Sequence, residues 1–167
     1  MYRFILRSKI RQAFGALSRG DAPTLLSSMS PTVHHTFPGD HALGGQRSDL
    51  RDVAAWFDRL FRLLPGLTFH VQALAVDGWP WNTTIGVEWT NTGTLLDGSA
   101  YTNTGAHILR VRWLRIVAFH AYLHDSAAFT DALGRLSVHG LEEAHAAPVL
   151  TRTSRPAAAV SRSPGER

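Results

Sequence analysis

The chain has 167 residues, 44% of them hydrophobic and 18% charged, with eight Phe, five Trp and three Tyr, which suits one compact core and excludes a disordered or fibrous protein. Its lack of cysteine removes disulfides, thiolate nucleophiles and Cys-held metal centres. Most of the net charge of +4 comes from Arg152, Arg155, Arg162 and Arg167 set against Glu166, so the body of the chain is nearly neutral and no nucleic-acid partner is expected.

Residues 4–17 place Ile10, Phe14 and Leu17 at helical spacing, and Gly20 ends the run. Arg3, Arg7, Lys9, Arg11 and Arg19 make residues 1–20 positive without an acid, a pattern that fits a solvated helix face or contact with an anionic surface. These cations also interrupt every apolar run that could serve as a signal segment, and no stretch approaches the roughly 20 apolar residues of a membrane span. A cytoplasmic chain with no membrane partner is therefore expected. Asp21 reads as the N-cap of a short second helix with Pro23 in its first turn and Ser30-Pro31 at its end.

"TVHHTF" (32–37) alternates Val33, His35 and Phe37 with Thr32, His34 and Thr36, the period of a half-buried strand. "PGDHALGGQRS" (38–48) reads as a loop, with Ser48 capping a helix whose stripe is Val53, Trp56, Phe57, Leu60, Phe61 and Leu64, ended by Pro65-Gly66. Four strand runs follow, at 67–76, 81–92, 100–113 and 115–124, and Asp125-Ser126 opens a helix to about Leu136. "GLEEAHAAP" adds a short turn. From Thr151 onward the chain has no aromatic and one β-branched aliphatic residue, so a domain over 1–150 and a disordered tail over 151–167 are expected. The order α-α-β-α-β-β-β-β-α, with consecutive strands pairing antiparallel and helices covering one face, makes an α+β roll.

His107, His120 and His124 lie on the last hairpin. His120 and His124, four apart in a strand, are separated by about 13 Å and cannot share one zinc, and His34 and His35 point to opposite faces. No metal and no cofactor are expected. If Trp113-Leu114 is a two-residue turn, counting back from Arg112 and Arg115 puts His107 opposite His120, where one imidazole could act as a pocket base. Glu88 alternates with Gly86 and Thr90 and is read onto the wetter face of its strand.

The strings "FPGDHALGG", "WFDRLFRLLPGLTFHV", "GWPWNTTIGVEW", "DGSAYTNTGAHILRVRW" and "GLEEAHAAPV" together resemble the SnoaL-like, polyketide cyclase-like branch of the nuclear transport factor 2-like superfamily, over roughly residues 3–150. The resemblance implies a cystatin-like, cone-shaped roll with a strongly curved antiparallel sheet, a largely apolar pocket, and a homodimer formed through the outer sheet face. It implies cofactor-free proton-transfer chemistry (cyclisation, isomerisation or dehydration) on a small apolar polyketide- or steroid-like molecule, or else a non-catalytic binding or scaffold protein of the same fold. It also places Ala121 where several catalytic relatives carry an Asp, which turns His120 outward, in conflict with the turn-based register. The expected catalytic residues are His107 as the acid–base group, His120 as a second candidate, and Asn103 and Tyr101 as orienting donors. Phe37, His41, Trp56, Trp81 and Tyr122 are expected to face the substrate, with Asp40 and His41 near the pocket mouth.

Overall fold

The computed structural model describes residues 1–95, 97–138 and 140–151. Helix α1 (Tyr2–Leu17) buries Leu6, Ile10, Ala13, Phe14 and Leu17, a stripe at helical spacing that packs on the sheet. Helix α2 (Ala22–Leu26) starts at Asp21, whose carboxylate accepts from the Thr24 amide at 3.2 Å, as read from sequence. It stops earlier than expected. Ser30 and Pro31 lie within strand β1 (Met29–Phe37), in the stretch between Met29 and His34 where the pairing register breaks. A proline has no N–H to give the ladder, which is why the strand is irregular there.

The expected loop 38–48 contains a short strand, β2 (Gly45–Arg47), paired antiparallel with the end of β1. Helix α3 (Leu50–Leu63) is capped by Asp49 rather than Ser48, the Asp49 side chain accepting from the Arg51 amide at 2.7 Å. Its stripe of Val53, Trp56, Phe57, Leu60 and Leu63 is buried. Strands β3 (Thr68–Trp79), β4 (Asn82–Thr94), β5 (Ala100–Arg112) and β6 (Arg115–Leu123) form an antiparallel meander. Helix α4 (Ser126–Val138) begins at Asp125, which accepts from the Ala128 amide at 2.8 Å, and a single 3-10 turn, Glu142–His145, follows it.

The sheet order is β2-β1-β6-β5-β4-β3. It is mixed rather than wholly antiparallel, because β1 runs parallel to β6. A parallel pair needs a long connection, which the intervening chain from α3 through β5 supplies. Helices α1 and α3 lie on the inner face, giving the α+β roll. The C-terminal segment is fastened at Thr151, whose hydroxyl donates to Asp52 at 2.7 Å and accepts from the Ser48 amide at 2.8 Å. The rest of the expected tail lies outside the described residues. Among the described residues no helix is long and apolar enough to cross a membrane.

Candidate functional site

Every second residue of β4 and β5 points to the inner face: Val87, Trp89 and Asn91 on one, Tyr101, Asn103, His107 and Leu109 on the other, all buried. Glu88 is exposed on the opposite face, as its alternation implied. On β6 the register depends on one residue. Trp113 and Leu114 do form a two-residue turn, with φ of 49° and 66°, and Arg112 pairs with Arg115. An unpaired Val117 then shifts the ladder, so that His107 faces Ala121 and Ile108 faces His120. The turn-based pairing of His107 with His120 is thereby corrected. His120 stands half-buried on the outer face with Nδ1 2.8 Å from Thr36 Oγ1, away from the inner cavity.

His107 is enclosed by Phe119, Phe14 and Trp89, with ring centroids 4.4, 5.6 and 5.4 Å away. Trp89 Nε1 donates to His107 Nδ1 at 2.6 Å. An indole N–H can only donate, so Nδ1 supplies the lone pair and the neutral ring carries its proton on Nε2. Burial pushes the His107 pKa down to about 3, so the ring stays neutral at physiological pH. The consequence is chemical: His107 presents a hydrogen-bond donor and has no spare basic nitrogen. Gly105 permits this contact, since a Cβ there would lie 2.8 Å from the Trp89 ring and collide with the Tyr122 carbonyl oxygen.

His35 repeats the arrangement on the other side of Phe119. Its ring is buried, 5.6 Å from Phe119 and 4.5 Å from Trp56, and its Nδ1 lies 3.2 Å from Arg47 Nη1. A guanidinium has no acceptor, so here too the imidazole proton falls on Nε2, which has no partner among the described residues. Burial and then the Arg47 charge hold the His35 pKa well below its ordinary value. Arg47 itself donates to the carbonyls of Val149 (2.6 Å), Leu43 (3.2 Å), Gly45 (3.3 Å) and Gly44, and lies 5.5 Å from the Trp56 ring centre. Burial draws its pKa down to about 10, which leaves it charged at neutral pH.

Between α1, α3 and the sheet lies an apolar cavity lined by Phe37, Trp56, Trp89, Asn91, His107 and Phe129 among others, with a free volume of about 20 Å³. That is room for a water or two; a pocket for a drug-sized molecule holds roughly 300–1,000 Å³. Its polar lining is His107 and the amide of Asn91, whose Oδ1 is buried without a partner among the described residues. Phe37 and Phe129 line it with ring centres 5.2 Å apart, whereas His41, expected to face a substrate, lies behind Phe129 at 5.1 Å and borders a surface groove with Asp40 and Thr130 instead. Trp56 is fixed in the wall by its Nε1, which donates to the Leu43 carbonyl at 2.7 Å.

The remaining sequence-derived candidates fall elsewhere. Asn103 is committed to the backbone: its Nδ2 donates to the Asp125 carbonyl at 2.8 Å and its Oδ1 accepts from the Thr104 amide at 2.8 Å. Tyr101 is buried against Phe129 outside the cavity lining, and burial pushes its pKa up to about 12. Trp81 and Tyr122 do not reach the cavity. Trp81 is a turn residue, 54% exposed, and the Val117 bulge turns Tyr122 outward, 57% exposed. Trp89, Asn91, His35 and Arg47 were not singled out as a site. The alternation of "GVEW" puts Trp89 on the same face as Val87, but nothing in "GGQRS" signals a buried arginine.

The architecture is thus an α+β roll whose helices shut one sheet face over an apolar, imidazole-bearing cavity. The chain belongs to the SnoaL-like domain family, whose model matches residues 10–119. Among solved structures it is similar to a nuclear transport factor 2-like protein of unknown function from Burkholderia pseudomallei, with 22% identity, a TM-score of 0.66, and 75% of this chain and 95% of that one covered. It is also similar to TerC co-crystallised with polyporic acid (20% identity, TM-score 0.65, coverage 75% and 95%). A putative SnoaL-like polyketide cyclase from Jannaschia sp. is similar over 74% of this chain and 88% of that one, with 15% identity and a TM-score of 0.61. No curated protein sequence matches the chain.

Proposed function

We propose that the chain binds a small, largely apolar molecule that offers an acceptor oxygen to His107 Nε2–H and a donor to Asn91 Oδ1. The observation that carries this reading is the Trp89–His107 hydrogen bond, which fixes a neutral imidazole as a donor in an apolar cavity. A hydroxylated quinone or phenol has the matching chemistry, and the similarity to a protein co-crystallised with polyporic acid supports that class. Any ligand of this class, a single quinone ring included, requires the wall at Phe37 and Phe129 to move, because the cavity as it stands has room only for a water or two. A homodimer through the outer sheet face is part of the proposal, supported by Tyr122 exposed there, and sedimentation of the wild type against Tyr122→Lys tests it.

Cofactor-free isomerase, cyclase or dehydratase chemistry is the second reading. A neutral N–H preset in a dry cavity can stabilise a developing oxyanion, which favours it. In that case His107 donates to the oxygen and another group takes the proton, since no carboxylate among the described residues lines the cavity. Titration with a panel of hydroxy-1,4-naphthoquinones, read by quenching of Trp56 and Trp89, tests both readings. Saturable binding that weakens about tenfold or more in His107→Phe is the expected result. Turnover of a bound quinone, lost in the same variant, moves the assignment to the enzyme. If no quinone binds and the imidazole ¹⁵N signals stay still, the proposed ligand chemistry fails.

A further inference from the structure

The three exposed tryptophans do not scatter over the surface. Trp79 and Trp81 stack with ring centroids 5.6 Å apart and planes 6° from parallel, and Trp81 lies 6.2 Å from Trp113 on the neighbouring hairpin. The two hairpin tips are tied by the Trp113 amide, which donates to the Pro80 carbonyl at 2.7 Å. Trp79 and Trp113 are 68% and 69% exposed, an unusual state for the largest apolar side chain. Beside Trp79 and Trp81 lies the start of α1, where Met1, Tyr2 and Arg3 border the same groove, and Met1, Phe4 and Ile5 are all exposed. Met1 and Trp81 border one groove, Leu114 and Lys9 another, and Trp113 links them by facing Trp81 and sharing its turn with Leu114, so these side chains lie at one end of the molecule.

The turn that carries Trp113 and Leu114 points the same way. Both residues sit in the left-handed backbone region, which a two-residue hairpin turn normally fills with Asn-Gly or a similar pair. The chain holds two bulky apolar residues in a disfavoured conformation at a solvent-facing tip, which packing of the core does not require.

The charge at this end is as one-sided as its hydrophobicity. Residues 1–11, 77–82 and 110–116 contain Arg3, Arg7, Lys9, Arg11, Arg110, Arg112 and Arg115 against a single acid, Asp77, which is paired with Arg3 at 3.2 Å. Tryptophan favours the boundary between headgroups and acyl chains, and arginine and lysine beside it favour anionic headgroups. We infer that this end, formed by Trp79, Trp81, Trp113, Leu114 and the first turn of α1, docks peripherally on an anionic lipid surface. Charge complementarity selects that partner over a second copy of the chain, whose identical positive end would repel it.

Vesicle flotation of the full chain tests this, with phosphatidylcholine alone and with a phosphatidylcholine–phosphatidylglycerol mixture. Expected are binding to the anionic vesicles only, a blue shift of tryptophan emission, and quenching by bromine-labelled acyl chains. Trp81→Ser with Trp113→Ser should lower the partition coefficient at least about tenfold, because each large apolar side chain is worth that much on burial. Arg112→Gln with Arg115→Gln should lower it too and flatten its salt dependence. These are surface positions, and unchanged circular dichroism checks that the variants fold. Equal flotation of wild type with both vesicle types, or none with either, overturns the inference. So does a wild-type dimer that the tryptophan variants convert to monomer, since the patch would then be a self-association surface.

Discussion

Lowering the pH should destabilise the protein through His107 before most carboxylates titrate. The folded-state pKa is pushed down from 6.5 to about 3 by burial, while in the unfolded chain the ring protonates near its ordinary value. The unfolded state therefore binds more protons between those two values, so stability is complete above about pH 6.5 and falls as the pH drops toward 3. The slope from one such group is about 1.4 kcal/mol per pH unit, and the span corresponds to roughly 5 kcal/mol, a large share of the 5–15 kcal/mol typical of a domain. Urea unfolding of wild type and His107→Phe, followed from about pH 7.5 to about pH 4.5, isolates the effect because other titrating groups are common to both. The wild type should lose about 2–3 kcal/mol more than the variant over that range. Parallel curves would refute the neutral, buried imidazole, and with it the donor role assigned to Nε2.

Gly105→Ala should cost roughly 1–3 kcal/mol, because its Cβ meets the Trp89 ring and the Tyr122 carbonyl; denaturant midpoints and loss of the Trp89–His107 hydrogen bond by NMR check it. Asn103→Ala should cost about 1–3 kcal/mol by stripping partners from the Thr104 amide and Asp125 carbonyl, while ligand affinity stays the same; an affinity loss without a stability loss would return Asn103 to the site. Arg47→Met should cost roughly 2–4 kcal/mol and free the segment ending at Thr151 from its Val149 anchor, seen as faster limited proteolysis there with little change elsewhere.

The elements were legible because their signals are local. Helical stripes in α1 and α3, the Asp21 cap, and the β4–β5–β6 alternation all rest on spacing along one segment. What the sequence could not carry were properties of pairs far apart. The parallel β1–β6 pairing joins residues more than 80 apart, and its partners in "TVHHTF" look the same beside any strand. The bulge at Val117 is one unpaired residue within an unbroken apolar run; it reversed the facing of His120 and Tyr122, and the family resemblance, which put Ala121 inward, located them better than counting from the turn. His107 itself was reached from the hairpin turn and the family resemblance, but its role was not. A histidine reads as a potential base until the group on its other nitrogen is known, and that group, Trp89, sits on a different strand.

The polar groups of the interior share one property that decides what the cavity can do. His107 and His35 are both neutral donors at Nε2, each because its Nδ1 faces a group that can only donate, and Asn91 is an amide that does not titrate. Arg47 is the one charge found buried on that side among the described residues, and its hydrogens are taken up by backbone carbonyls of the loop and C-terminal segment rather than aimed at the cavity. Such an arrangement is able to direct a hydrogen bond at an oxygen and polarise it, but among the described residues its lining holds no group ready to take a proton at neutral pH. Ala121, buried opposite His107, stands where a carboxylate would supply that missing base. Ala121→Asp therefore separates the two readings: a carboxylate there, its pKa raised by the apolar surroundings, should confer proton exchange on a bound hydroxyquinone while leaving its binding dependent on His107. If the wild type already exchanges that proton at the variant's rate, the cavity has a base that its geometry does not reveal.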